Sequence, residues 1–420
     1  MLNRYRAAFA FPGATAFSAA GFLSRASMAI YPIAMVLIIS GRTHAYGFAG
    51  LVSGSYVIGG ALGNPIAGRL VDRLGQHRVL PRFLAGHLAA TAVFAVLITV
   101  RTPLWTLLLP AMLMGASLLN IGALIRARWS YVWPADPGRR STAYSVESTI
   151  DEVIFVIGPL VATVLATHAS PLVTLGLAMA LIAAGSLWLA SQRGTDPPLR
   201  VRGPGERPTF ALRSRGMLLI TLVMVFMGAV FGSAEVVMVA FCGQHGQRAS
   251  AGWVVASFAA GSAASAILYG SRHWRTPLLR RFVRAALVFG VLPFLYLVPT
   301  TLPVLAVCTF VVGMGIAPTL ISGFGLVDSI VSADSLTEGL TWIGTGLSVG
   351  YGFGAAAVGG IADRHGAHVA FWVPVGCALV SAGFALALAT RLRAPAGPPV
   401  APAVDRRISA GLKADSRRRG

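Results

Sequence analysis

The chain has 420 residues, of which 55% are hydrophobic and only 11% are charged, and its formal net charge is +20. Soluble domains have about 25% charged residues, so this composition excludes an ordinary soluble protein and indicates an integral membrane protein. The mean hydropathy of +0.73 agrees with that interpretation. The positive charge does not indicate a nucleic-acid partner, because the arginines lie in short segments between apolar runs, where they set membrane orientation.

Twelve apolar runs are long enough to cross a bilayer, since about 20 helical residues span its hydrocarbon core. Lipid offers the backbone no hydrogen-bonding partners, so each run is predicted to be helical. The predicted fold class is therefore an all-α integral membrane protein with twelve transmembrane helices in two six-helix halves. The predicted spans are residues 10–39, 46–68, 79–100, 104–126, 142–166, 170–191, 216–242, 250–270, 278–299, 302–326, 338–362 and 368–390.

One long connection, rich in proline, glycine and arginine, divides these spans into six and six. The predicted domains are an N-terminal half (1–191), a flexible or extended cytoplasmic linker (192–215), a C-terminal half (216–390) and a basic, disordered cytoplasmic tail (391–420). Nearly all basic residues fall on one side when both termini are placed in the cytoplasm, as the positive-inside rule requires. We therefore expect a multi-pass protein of the cell membrane.

The sequence shows no sign of catalytic or cofactor chemistry. Its three cysteines, Cys242, Cys308 and Cys377, are too few and too scattered to predict a disulfide framework or a metal site. It has no phosphate-binding loop of the Gly-x-x-x-x-Gly-Lys type, and its single lysine, Lys413, lies in the tail. No cofactor, no metal and no enzymatic activity are expected.

The most informative segment is the polar hairpin at residues 68–80, between the second and third predicted spans. It contains an Asp-Arg pair followed by a glycine and basic residues. Part of this region recurs 291 residues later. The repeated residues are Gly59, Gly63, Gly68, Asp72, Arg73 and Gly75, which align with Gly350, Gly354, Gly359, Asp363, Arg364 and Gly366. Internal symmetry of this kind is typical of transporters, although chance recurrence of glycine-rich helix ends is the alternative.

Six plus six helices, a basic linker and this hairpin together resemble the major facilitator superfamily over residues 8–390. The family's loop motif is Gly-x-Leu-Ala-Asp-Arg-x-Gly-Arg-Lys-x-x-Leu. The matching residues are Gly68, Leu70, Asp72, Arg73, Gly75 and Leu80. The departures are Val71, Gln76 and His77, with a basic residue, Arg78, one place later.

The resemblance implies a secondary transporter in which this motif acts as a gate, with Asp72 facing the N-terminus of the eleventh span. A carboxylate there is favoured by the helix dipole. The stretch Ser335-Leu336-Thr337-Glu338 has the Ser-x-x-Glu form of a capping box and predicts where that helix begins. Gly68 is expected to allow a close approach to a neighbouring helix, and Gly75 to support the turn.

Gly158-Pro159 in the fifth span partly matches the family's antiporter motif, which centres on Gly-Pro with further glycines. The resemblance implies bacterial, proton-coupled export of a small molecule, such as a drug-like compound. The alternatives are proton-coupled uptake or sugar and metabolite export on the same fold, and a membrane sensor without transport. The expected partners are a small-molecule substrate, protons and the lipid bilayer, and the chain is expected to be a monomer.

Ionisable residues within spans are costly, so they are candidates for proton or substrate binding. The candidates are Arg25, Glu147, Asp151, Glu152 and Glu235. Glu147 and Asp151 share a helix face, and Glu152, about 15 Å into the fifth span, is the preferred functional acid. Other readings stay open: an ion pair of Glu147 with Arg126 or Arg128, anion binding or a span-five ion pair for Arg25, and snorkelling of Glu235.

Further polar residues and glycines are expected to be structural. Asp328 is predicted to be a solvated loop charge and His87 a packed histidine. Glycines spaced by four are predicted to pack helices closely, with sliding between the two halves as the alternative. These are Gly59, Gly63, Gly346, Gly350 and Gly354.

Overall fold

The computed structural model of the chain describes residues 2–43, 46–199, 210–214, 216–247 and 250–393. Within these residues every regular element is a helix. Residues 200–209 and 215 of the predicted linker, and the predicted tail from residue 394 onward, lie outside the described residues.

We call the helices before the linker the N-terminal half, and those after it the C-terminal half. The N-terminal half contains α1 (Leu2–Ala8), α2 (Ala14–Thr43), α3 (Tyr46–Leu74), α4 (Gln76–Thr99), α5 (Leu108–Ser117), α6 (Ile121–Val132), α7 (Pro137–His168) and α8 (Pro171–Ser191). The C-terminal half contains α9 (Met217–Gln244), α10 (Ala251–Ser271), α11 (Leu278–Val291), α12 (Leu302–Gly313), α13 (Ile316–Ile330), α14 (Leu336–Ala370) and α15 (Trp372–Arg393).

Among the described residues, nine helical segments are long and apolar enough to cross a membrane. The other three predicted spans lie on α3, α11 and α14. The short helix α11 has only 14 residues before 3₁₀ turns continue it to Leu297, and α14 is rich in glycine. The all-helical membrane fold is confirmed, and the number of twelve spans stays a prediction.

Two predicted spans are interrupted. The fourth span is broken between α5 and α6, where the Asn120 side chain accepts a hydrogen bond from the Ala123 N–H at 3.0 Å and so caps α6. The tenth span is broken between α12 and α13. A helix leaves its first N–H groups unpaired, and a polar capping side chain pairs one of them. The Asn120 cap therefore allows α6 to begin within an apolar run.

The internal repeat is visible in the backbone. Gly75, between α3 and α4, has φ +85°, and Gly366, within α14, has φ +81°. Both glycines turn the chain where an L side chain would be strained. The packing of Gly359 and the side chain of Asp363, two of the repeat partners, lie outside the described part of the structure.

The spaced glycines pack helices within each half. A Cβ added at Gly59 would lie 1.9 Å from the carbonyl oxygen of Met112 on α5, and one added at Gly350 would lie 1.8 Å from that of Val225 on α9. Such contacts exclude any side chain and let the backbones touch. In the described structure these glycines therefore join helices of the same half.

We call the end of the bundle that carries residues 68–80 the hairpin end. Here the largest contacts between the two halves are those of α3 with α14 and of α7 with α10, and α6 and α7 also meet α14 and α13, respectively. On the second pair, Thr142 Oγ1 donates to the carbonyl of Gly270 at 3.1 Å and Ser145 Oγ donates to that of Ala266 at 2.6 Å. These bonds hold the halves together at this end.

Away from the hairpin end, α7 and α14 each keep a single buried stripe. On α7 the stripe is Ile154, Gly158, Ala162 and Ala166, and on α14 it is Gly350, Gly354, Val358 and Ala362. On each helix, side chains on the faces beside the stripe are exposed: Phe155 of α7 is 59% exposed and Phe353 of α14 is 70% exposed. A helix held between two halves would bury two faces, so a single stripe indicates that the halves are apart beyond mid-depth.

The first residues of the predicted linker are hydrogen-bonded to the N-terminal half. The fully buried Arg128 donates to the carbonyl of Gln192 at 3.0 Å and to Thr195 Oγ1 at 2.7 Å. The Asp196 carboxylate accepts from the backbone N–H groups of Gln76 and His77 at 3.3 and 3.1 Å. It thereby caps the N-terminus of α4 and ties the linker to the polar hairpin.

Candidate functional site

The Asp72 carboxylate lies at the N-terminus of α14, in the other half of the molecule. It accepts the backbone N–H of Thr337 at 3.0 Å and that of Glu338 at 2.8 Å. These are two of the N–H groups that a helix leaves unpaired at its start. Asp72 lies past the end of the predicted span 46–68, and burial raises the pKa of its carboxyl to about 7, against the lowering effect of the hydrogen bonds it accepts.

The predicted capping box does not form. The helix begins at Leu336 as the motif indicates, but Ser335 makes no side-chain cap. Asp72 already takes the N–H groups that a capping side chain would bond. Glu338, 1% exposed, instead pairs with Arg69, whose Nη2 donates to Oε1 at 2.7 Å and whose Nε donates to Oε2 at 3.3 Å.

Gly68 lies where α3 crosses α14. A Cβ added there would meet Thr341 Oγ1 at 2.9 Å and the Glu338 Cα at 3.1 Å. Glycine therefore permits this approach between the halves. Arg73 and Arg78 of the same motif are exposed, and within the described residues neither forms an ion pair.

Four charged side chains form a second cluster in the N-terminal half, from α2, α6 and α7. Arg25 pairs with Glu147 and also donates to Asp151 Oδ1 at 2.7 Å. Glu147 is fully buried and accepts further bonds from Ser18 Oγ at 2.7 Å and Trp129 Nε1 at 2.9 Å. Of the readings left open by the sequence, the structure has Arg25 paired with the acids of the fifth span.

Asp151 joins the two arginines of this cluster. Its Oδ2 accepts from Arg126 Nη2 at 3.0 Å, so each oxygen holds a different guanidinium. The Asp151 side chain is 31% exposed, whereas those of Arg25 and Arg126 are 3% exposed. The Arg126 guanidinium also lies 3.9 Å from the ring centre of Phe324 on α13, which brings the C-terminal half against the cluster.

Arg126 and Arg128 do not neutralise Glu147. Arg126 serves Asp151, as described. Arg128 donates to neutral acceptors, the Gln76 amide at 2.7 Å and the carbonyl of Leu189 at 2.9 Å, in addition to its linker bonds.

Glu152 lies one residue further along α7 and faces the C-terminal half. Ser262 Oγ on α10 donates to Glu152 Oε1 at 2.5 Å. Within the described residues Glu152 has no cationic partner. Among the described hydrogen bonds between α7 and α10, the one from Ser262 to Glu152 is furthest from the hairpin end, next to the start of the buried stripe of α7.

Asp328 corrects a prediction, because it is not a solvated loop charge. Its side chain is 6% exposed, pairs with Arg140 on α7 at 2.7 Å and accepts a short bond from Ser130 on α6. Asp328 thus adds an ion pair between the halves at the hairpin end.

The remaining candidates lie apart from these clusters. Glu235 on α9 accepts from the Tyr351 hydroxyl of α14 at 2.8 Å, within the C-terminal half. Gly158 packs against Ala29 of α2, 2.5 Å from a Cβ added at the glycine. The side chain of Pro159 is outside the described structure. His87 is fully buried and bonds the carbonyl of Met114 at 2.9 Å through Nδ1.

The sequence did not single out several residues of these contacts. Arg69 occupies a position that the loop motif leaves free, and Ser262 and Phe324 are neutral residues in apolar runs. Asp196 lies in a proline-rich stretch that resembles a linker. For Arg69 and Asp196, the charge of the side chain is the sequence signal that could have identified them as contact residues. Among the described residues, no group of three or more His, Cys, Asp or Glu side chains is placed to hold a metal ion.

Solved structures share this fold. The human organic anion transporter MFSD10 is 18% identical, with a TM-score of 0.69 over 89% of this chain and 98% of that one. A bacterial homologue of the iron transporter ferroportin, in an outward-facing state, is 15% identical, with a TM-score of 0.73 over 91% and 100%. The E. coli fucose:proton symporter is 14% identical, with a TM-score of 0.70 over 89% and 98%.

Sequence comparison gives the family. No curated protein matches the chain. The family model described as Major Facilitator Superfamily matches residues 17–247 and 236–414, which is most of the sequence. With the all-helical membrane fold and transporters as structural neighbours, these matches establish that the chain belongs to the Major Facilitator Superfamily of membrane transporters.

Proposed function

We propose that this chain is a proton-coupled secondary transporter that moves a small molecule across the cell membrane by alternating access. The observation that carries the proposal is Glu152. This acid lies halfway along α7, contacts Ser262 of the opposite half and has no cationic partner among the described residues. An acid in that position can bind a proton, and a change in its charge alters a contact between the moving halves.

The gate in this proposal is the set of contacts at the hairpin end. Asp72 at the α14 N-terminus, Arg69 with Glu338 and Arg140 with Asp328 each join the two halves. These contacts are formed at the hairpin end, while the two halves are apart at the other end of the bundle. In the proposed cycle these contacts break when the halves rock, and the hairpin end then opens to the cytoplasm, where we place both termini.

Export by proton antiport is the direction that the resemblance at Gly158-Pro159 favours. Uptake by proton symport is the second candidate, because Arg25 and Arg126 surround a partly exposed acid that a substrate anion can replace. The structural neighbours do not decide between them, since their names include an organic anion, iron and fucose as cargo. We propose that the transporter acts as a monomer.

The test uses inverted membrane vesicles with a pH-sensitive dye and a panel of cationic, neutral and anionic compounds. Wild type is compared with Glu152→Gln and with the control Asp136→Asn, which removes an exposed acid from the same helix. We expect at least one compound to change the proton gradient in wild type and control but not in Glu152→Gln.

Two outcomes contradict the proposal. Equal proton movement with Glu152→Gln would remove Glu152 from the proton path. Ligand binding without flux in liposomes would instead support a membrane sensor that does not transport. The sign of the gradient change separates antiport from symport, because export and uptake move protons in opposite directions relative to the substrate.

A further inference from the structure

Asp151 differs from the other members of its charge cluster in exposure. Arg25, Arg126 and Glu147 are buried, whereas the Asp151 side chain is 31% exposed. Its two carboxylate oxygens each accept from a different guanidinium, at 2.7 and 3.0 Å. Asp151 thus lies between the arginines and the accessible side of the cluster, where a dissolved anion would approach.

We infer that Arg25 and Arg126 form a binding site for the carboxylate group of a substrate, and that Asp151 occupies this site when it is empty. A substrate carboxylate offers the same two oxygens as Asp151 and can bond the same two guanidinium groups. The inference rests on the proposed transport function and names the chemical class of its cargo.

Glu147 does not compete for this role. Its carboxylate accepts from Arg25, Ser18 and Trp129 and is fully buried, so it holds Arg25 permanently. Arg126 has Asp151 as its only acidic partner among the described residues, and its Nε has no hydrogen-bond partner there although it is buried. A buried guanidinium with an unused donor indicates a site built for a ligand with more acceptors than Asp151 alone supplies.

The location links the site to the moving parts. Asp151 is the neighbour of Glu152, which accepts a hydrogen bond from Ser262 of the opposite half. Phe324 of the C-terminal half lies 3.9 Å from the Arg126 guanidinium and must leave it when the halves rock. A ligand at this site would therefore change contacts that join the two halves.

The charged groups that face Asp151 are Arg25 on α2, Arg126 on α6, and Glu147 and Glu152 on its own helix; α10 and α13 present the neutral Ser262 and Phe324. Arg25 and Arg126 are thus the cations for which Asp151 and a substrate carboxylate compete.

The test asks whether formate replaces a deleted Asp151 side chain. The purified full chain carries Asp151→Ala, and its thermal midpoint is measured with sodium formate and with sodium chloride at equal ionic strength. We expect formate, but not chloride, to restore at least half of the stability that the substitution removes. The matched control is Glu152→Ala, the adjacent acid without an arginine, which formate should not rescue.

A second arm uses Asp151→Asn, which keeps the shape of the side chain. It provides the test if Asp151→Ala does not fold. Asp151→Asn, which lacks the competing negative charge, should bind formate more tightly than wild type. Adding Arg126→Gln should abolish binding in either background. No formate effect in any folded Asp151 variant would overturn the inference. Binding needs no gradient, so this outcome is distinct from failure of proton-coupled flux.

Discussion

At the scale of single residues, Glu147 is a buried charge whose carboxylate is bonded by three side chains. It has no exposed surface and accepts from a guanidinium, a hydroxyl and an indole N–H. These donors come from α2 and α6, whereas Glu147 belongs to α7. The acid therefore joins three helices of the N-terminal half, and its role in our interpretation is structural rather than transport.

Glu147→Gln should destabilise the folded chain. The amide keeps a hydrogen-bond acceptor but leaves the buried Arg25 with Asp151 as its remaining acidic partner. Breaking a buried ion pair costs about 3 kcal/mol. The measurement is the midpoint temperature of unfolding of the purified protein in detergent. Unfolding is monitored as the loss of the monomer peak in size-exclusion chromatography.

The control for that experiment is Asp136→Asn on the same helix. Asn still caps α7, and only an exposed ion pair with Arg139 is lost, so the expected change is below about 1 kcal/mol. If Glu147→Gln melted at the same temperature as this control, the buried pair would not be holding α2 and α6 to α7.

The sequence predicted which residues of the spans are ionisable, but not their partners. Helical spacing places Glu147 and Asp151 on one face, whichever helix that face meets. Arg25, Arg126 and Arg128 were all available as partners for Glu147, and only the packing of α2 and α6 decides among them. Asp328 shows the same limit, because its burial depends on Arg140 and Ser130 in the other half.

At the scale of helices, the start of α14 depends on a side chain from α3. The capping box in its own sequence predicted the first residue correctly but not the bonds, because a carboxylate from another helix outcompetes Ser335 for the same N–H groups. Tertiary contacts override a local motif in this way whenever a stronger acceptor is nearby. The start of α14 is therefore bound to the other half of the molecule.

Asp72→Asn should loosen the contact between α3 and α14. Asn has one carbonyl acceptor and no charge, so it loses one N–H bond and the favourable interaction with the helix dipole, together about 1 kcal/mol. The reporter is maleimide labelling of Thr341→Cys, a position 1% exposed at this contact, in a chain whose native cysteines have been replaced. We expect labelling to become roughly fivefold faster, since 1.4 kcal/mol is tenfold.

The same labelling measured with Asp136→Asn should stay at the wild-type rate, because Asp136 lies at the start of α7 and contributes only to its own helix. Unchanged labelling in Asp72→Asn would mean that this carboxylate does not hold the hairpin end closed.

The linker prediction belongs to the same scale. Composition indicated a flexible or extended segment. In the structure Asp196 caps α4, and Arg128 is hydrogen-bonded to Gln192 and Thr195. Asp196→Ala should remove a cap worth about 1 kcal/mol. We expect faster tryptic cleavage after the exposed Arg193. Asp196→Asn, which keeps one acceptor, should be intermediate, and equal cleavage of all three proteins would show that the cap does not restrain the linker.

At the scale of the whole molecule, the sequence predicted two halves of helices and a gate between them, but not which state the molecule adopts. Its state depends on long-range contacts that no local pattern encodes. The hydrogen bonds of α7 to α10 and of α3 to α14 close the hairpin end, while the single stripes of α7 and α14 leave the other end open. If transport requires these halves to rock, a covalent link across the hairpin end must stop it.

The test is a disulfide between Ser145→Cys on α7 and Gly270→Cys on α10, in a chain without Cys242, Cys308 and Cys377. A Cβ added at Gly270 lies 2.6 Å from the Ser145 Cβ, and a disulfide needs about 3.8 Å, so the helices must separate by roughly 1 Å. The matched control is Ser24→Cys with Ser186→Cys, whose hydroxyls lie 2.9 Å apart within the N-terminal half. Oxidation should abolish flux only in the first pair, and reduction should restore it. Full flux in the oxidised first pair would exclude opening of this end as a step of transport.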